Sequence, residues 1–193
     1  IDKMLRNIEV TYVDPVKSQV DLLDTQEEDE LPDIDKNEIT VNEDSSLYVE
    51  IFTAPERSGS DKDGWMNEMA EKFNREDMQV NGQDVSVRIR NVTSGLAMEY
   101  IATGKYVPDG FSPSNAFWGK MLEADDVRVQ TVAERLVGNV PILMFQNDTY
   151  DELMKKYGAL NLKTVVEATA NGEITMGYTN PYASSTGLNF LIS

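Results

Sequence analysis

Neither cysteine nor histidine occurs anywhere in the 193 residues. Their absence rules out a disulfide framework, a thiolate metal site, a cysteine nucleophile, the Ser-His and Cys-His catalytic arrangements and most zinc sites. Carboxylates, hydroxyls and lysines are what remain for chemistry. Positive charge is also scarce: 17 Lys and Arg stand against 34 Asp and Glu, a net charge of -17. Such a balance argues against a nucleic-acid backbone or an anionic membrane surface as the partner, and the acidity serves solubility. No run of about 18 apolar residues occurs, as a membrane-crossing helix would need. A hydrophobic share of 40% is nevertheless enough for a real core at this length.

The first stretch with a pattern is Ile8-Glu9-Val10-Thr11-Tyr12-Val13, whose alternation reads as a strand ended by Asp14-Pro15. From Ser18 to Asp44, eleven acidic residues stand against the single Lys36, so this segment carries -10 of the net charge. It is read as an extended linker lying across the folded body through Leu22, Leu23, Leu31, Ile34 and Ile39. Asp33, Asp35 and Asn37, with Asp44 at the twelfth place, sketch a calcium loop. Glu38 stands where the glycine turn belongs, and no metal ligands are assigned.

The folded body is expected from Leu47, where Tyr48 to Phe52 form a β-branched and aromatic strand leading into a polar loop over 53–63. Trp65, Met66, Met69, Ala70 and Phe73 then recur at helical spacing. Asn81-Gly82 signals a turn, Val85, Val87, Ile89 and Val92 alternate as a second strand, and a helix follows that stops at Gly104. Phe117, Trp118, Met121 and Leu122 mark a third helix. Leu136 to Phe145, the most apolar run, reads as a buried strand, followed by helices over 149–156 and 162–170. Ile174 to Tyr178 reads as the last strand, and Leu188 to Ile192 as a terminal helix, the least secure element of the chain. Strands alternating with helices predict an α/β fold with a mostly parallel sheet and flanking helices.

In such sheets ligands sit beyond the carboxyl ends of the strands, where loops enter helices. Four of these turns carry hydroxyls: Ser58 and Ser60, Thr93 and Ser94, Ser112 and Ser114 with Asn115, and Ser184, Ser185 and Thr186. Hydroxyls and free N–H groups at helix starts can hold an oxyanion or another polar solute without a buried counter-charge. The competing reading is that Ser and Thr are the ordinary N-caps of any α/β protein. Tyr182, in the polar turn beside Ser184, is expected to lie against a ligand, whereas Trp65 and Trp118 are assigned to the core.

The order SLYVEIFTAPE, RIRNVTSGLAMEYIATGKYVPDGFSPSNAFWGKML, RLVGNVPILMF and GYTNPYASSTGLNFL resembles the bacterial extracellular solute-binding proteins of the type 2 periplasmic-binding fold. The similarity is to the branch of molybdate-binding components of ABC transporters. It covers roughly Ser46 to Ser193 and rests on order and turn chemistry. It implies two α/β lobes closing over a small polar solute or oxyanion, feeding a membrane permease or sensing the solute. Residues 1–45 would be a strand and acidic arm, 46–146 the first lobe with its crossing strand, and 147–193 the start of a second, incomplete lobe. The acidic arm resembles the outer-surface linker of Gram-positive proteins. That implies an extracellular, cell-surface location through an anchor outside this chain, and in some proteins a von Willebrand factor A domain. Asp109, Ser112 and Ser114 miss the D-x-S-x-S adhesion spacing by one residue.

Two further classes compete with this reading. A structural or interaction module that keeps the fold without transport would account for the acidic arm. An enzyme finds little support: G-x-S-x-G is absent, and Glu68 with Glu71 or Asp125 with Asp126 read as solvated helix faces. No cofactor and no nucleic-acid partner is expected.

Overall fold

The structure, a computed structural model, describes residues 31–43, 45–59, 64–138 and 142–192. They fall into two bodies, one built from 31–138 with 179–192 and the other from 142–178. The strand expected over 8–13 and Ser60 lie outside the described residues.

The first body is a mixed α/β sheet. Its strands are β1 (Ile39–Val41), β2 (Leu47–Thr53), β3 (Gln79–Val80), β4 (Gln83–Asn91) and β5 (Gly110–Ser112), in the order β1-β4-β2-β5, with β3 paired to β4. Strand β2 runs parallel to both β4 and β5, while β1 and β3 are antiparallel to β4. The helices are α1 (Pro55–Ser58), α2 (Trp65–Asn74), α3 (Ser94–Thr103), α4 (Phe117–Ala124) and, from the end of the chain, α7 (Ser185–Ile192). The Asn81-Gly82 hairpin forms as its sequence predicts, with both residues at positive φ, 53° and 78°.

Alternation along β2 places neighbouring side chains on opposite faces. Phe52 joins Leu31, Val92, Ala97 and Tyr100 in a cluster under α3. Ile51 instead packs with Val41, Met66, Ala70 and Ile89 under α2. The chain leaves β2 for β4 through one helical layer and leaves β4 for β5 through the other. The carboxyl ends of β2 and β4 therefore flank a point where the connections diverge, the place where α/β sheets form crevices.

The acidic segment is partly built into this body. Leu31 is buried in the α3 cluster, residues 34–36 make a 3-10 turn, and β1 closes one edge of the sheet. Arg90, paired with Glu50 at 3.0 Å, donates to the carbonyls of Asn37 and Ile34, and Tyr100 donates its hydroxyl to the Pro32 carbonyl at 2.8 Å. The body therefore starts by Leu31, ahead of the boundary expected at residue 46. Acidity misled there because Asp33, Asp35 and Glu38 stay exposed while the apolar residues between them turn inward.

The second body holds α5 (Asn147–Tyr157), which buries Leu153, and α6 (Leu162–Ala170), which buries Val165 and Ala168. Asn161 and Thr164 form a reciprocal capping box at the start of α6. Two expected strands do not form among the described residues. Among the described residues 136–138, 142–146 and 174–178 are irregular, and Leu136, Ile142, Met144 and Tyr178 are exposed. Despite their apolar, β-prone composition, none of the described strands pairs with them.

Candidate functional site

The carboxyl ends of β2, β4 and β5 run into α1, α3 and α4 within a few residues. Pro55 sets the first turn of α1 inside what reads as a loop, since its fixed φ suits the N1 position. Three of the four hydroxyl-bearing turns converge here, and the fourth arrives with α7. The last segment thus packs on the same body as the other three, contrary to its expected place in a second lobe.

The centre is a buried hydrogen-bonded chain. Trp118 Nε1 donates to Ser185 Oγ at 2.8 Å, Ser185 Oγ lies 3.3 Å from Ser94 Oγ, and the Ser114 N–H donates to Ser94 Oγ at 3.3 Å. Ser94 and Ser185 are both buried. Four hydrogens meet two oxygens in this chain: the indole N–H, the Ser114 N–H and the two hydroxyl hydrogens. Only three bonds are made, so one hydroxyl hydrogen has no acceptor among the described residues, whichever way the Ser94–Ser185 bond points.

The other residues distribute around this chain. Ser112 Oγ accepts from Arg57 Nη1 at 3.1 Å, while Ser114 Oγ accepts from Arg57 Nη2 at 3.2 Å and donates to the Glu56 carboxylate. The Asn115 amide contacts Asn189, and its Oδ1 accepts from the Phe117 N–H. Thr93 and Thr186 are exposed, and Thr93 occupies the N-cap of α3 without a side-chain capping bond. Ser184 Oγ accepts from Thr179 Oγ1 at 3.0 Å, and Tyr182 extends into solvent. Ser58 lies outside the cluster's bonding, fully buried with its hydroxyl donated to the Ala54 carbonyl at 3.2 Å.

The start of α3 is already in use. Its Gly95 N–H donates to the Ala183 carbonyl at 3.2 Å, and a Cβ at Gly95 would stand 2.0 Å from the Tyr182 carbonyl oxygen. Glycine is required at that spot by the close approach of two backbones. Gly187 repeats the arrangement, with the Thr179 carbonyl oxygen 2.0 Å from where a Cβ would be.

Two partners of the serines are missing from the sequence-based set. Trp118 fills the core as expected, yet its indole N–H also fixes Ser185. Arg57, with only 8% of its surface exposed, grips the 112–114 loop through Ser112 and Ser114 and through the Pro113 carbonyl at 3.3 Å. Burial pushes its guanidinium pKa down, opposed by the neighbouring Glu56. No local sequence signal marks this arginine for burial. Among the described residues no cluster of acidic side chains is arranged to hold a metal ion.

A model of a family described as bacterial extracellular solute-binding protein matches residues 57–192, more than two thirds of the chain. Curated proteins and solved structures yield no match.

Proposed function

The chain belongs to the bacterial extracellular solute-binding proteins, a non-enzymatic family, and from that premise we propose that a small polar solute or oxyanion binds at the serine seam. The observation that carries the reading is the surplus hydroxyl hydrogen of the Ser94–Ser185 pair, a buried donor with no acceptor among the described residues. A buried donor left unpaired is costly, and a solute oxygen would satisfy it. Thr93, Ser112, Ser114 and Thr186 add hydroxyls around it, and the converging helix starts favour negative charge. Delivery to an ABC-transporter permease, or sensing of the solute, and attachment to the cell surface complete the proposal.

The test is a calorimetric screen of oxyanions, sugars and short peptides against the chain, repeated on S94A and S185A. Binding that weakens about tenfold or more in either variant supports the seam, since truncating one partner of a buried polar contact costs about 1–3 kcal/mol. Undiminished binding in both variants overturns it.

A second reading has its own observation. The Ala183 carbonyl occupies the Gly95 N–H at the α3 start, and Ser94, Ser185 and Trp118 bond one another. These contacts favour a surface interaction module in which the seam is internal glue. Loss of stability in S94A and S185A without solute binding by the unsubstituted chain would select it.

A further inference from the structure

Arg57 is a buried cation with no direct ion pair among the described residues. Its Nη1 and Nη2 reach only neutral or hydroxyl oxygens: Ser112 Oγ at 3.1 Å, the Pro113 carbonyl at 3.3 Å, Ser114 Oγ at 3.2 Å and the Ser112 carbonyl. Its Nε is buried with no hydrogen-bond partner, and no carboxylate stands within 4.0 Å of it among the described residues. Arg90, the other buried arginine, shows the ordinary solution, an ion pair with Glu50 at 3.0 Å. A guanidinium held out of water without a counter-ion is destabilising unless something negative arrives.

The hydroxyls that Arg57 touches relay its charge. Ser112 Oγ accepts from the guanidinium, and its own hydrogen has no acceptor among the described residues. Ser114 sits between Arg57 and Glu56, and its N–H leads to Ser94. The seam therefore presents surplus donors at Ser112 and at the Ser94–Ser185 pair beside a positive charge. Glu56, whose carboxylate accepts from Ser114, is exposed.

We propose that Arg57 is the specificity-determining residue of this seam, selecting a small anion that brings only acceptor oxygens, an oxyanion or carboxylate, over a neutral or cationic solute. This rests on the solute-binding reading above. In a chain of net charge -17, a local cation is what lets an anion approach at all. Glu56 opposes the anion and tunes its affinity downward.

The experiment is titration calorimetry on the chain at constant ionic strength with two matched pairs, sulfate against sulfamide and acetate against acetamide, plus a panel of sugars. At least one anion is expected to bind about tenfold or more tightly than its neutral partner. R57M should erase that preference, R57K should retain part of it, and E56Q should tighten the anion. Equal affinity for an anion and its neutral partner, or an R57M variant folded by circular dichroism that still prefers the anion, overturns the role of Arg57. Sugar binding without anion binding overturns anion selection while leaving solute binding intact, and silence across every solute overturns both. Should R57M fail to fold, E56Q decides, because anion affinity unchanged in that variant overturns the electrostatic account.

Discussion

Gly95 is where two backbones come closest, and a single methyl group tests the arrangement. G95A would put a Cβ 2.0 Å from the Tyr182 carbonyl oxygen and 2.7 Å from the Ala183 Cα. The 179–192 segment must then shift, at a cost of about 1–3 kcal/mol for overpacking. A urea midpoint unchanged from that of the unsubstituted chain would contradict the close contact. Tyr100 offers a test by pH. Burial raises its phenol pKa, an effect partly opposed by the hydrogen bond from Asn37. A raised folded-state pKa means stability is fully present below the unfolded value of about 10 and is lost as pH climbs through the folded value. Y100F should remove that alkaline loss while costing about 1–3 kcal/mol at neutral pH, because the Pro32 carbonyl loses its donor. An alkaline limb as steep in Y100F as in the parent would show that Tyr100 is not its source. At this scale the sequence marked Ser94, Ser112, Ser114 and Ser185 through their spacing before helices. Arg57 escaped because nothing local distinguishes an arginine that turns inward from one that stays in water.

Among the elements, the 31–41 segment is the most informative. Leu31 buries its side chain against Phe52, Val92 and Tyr100, and L31A is expected to cost about 2–5 kcal/mol, as large-to-small core changes do. Measured by urea unfolding, a loss below about 1 kcal/mol would return this segment to the status of a loose arm. At the start of α6, N161A should cost about 1 kcal/mol through the lost capping box. The amide exchange of 162–170 is the sensitive readout there. Helices were legible because their apolar periodicity and stops are local: Leu162–Ala170 matches its expected bounds, and Gly104 and Gly158 end helices at positive φ. Strands were less so. Leu136 to Phe145 and Ile174 to Tyr178 have strand composition, but a ladder needs a paired partner, and no described strand pairs with them.

For the whole molecule the dominant fact is charge. At -17 with only four ion pairs among the described residues, self-repulsion opposes the compact state. Raising sodium chloride from about 0.01 to 0.15 M shortens the screening length from about 30 to 8 Å and should raise the melting temperature. A flat or falling melting temperature would place the excess charge too far apart to matter. Two of those pairs, Arg75–Glu71 and Lys120–Glu123, are exposed and contribute little. Arg90–Glu50 is the one that ties a buried charge to the sheet.

What the sequence determined by itself is the class of the molecule: α/β, acidic, without thiol or imidazole chemistry, carrying hydroxyls where strands enter helices, and similar in order to the family whose model matches it. These are properties of composition and of short-range periodicity, which a linear chain carries openly. Tertiary structure decided which of those hydroxyls meet. It brought Ser94, Ser114, Ser185 and Trp118 together across sequence separations of up to 91 residues, and it laid the turn before α7 against Gly95. It also buried Arg57 without a direct carboxylate partner among the described residues. Such contacts depend on which faces of the sheet the crossings cover, and no local pattern encodes them.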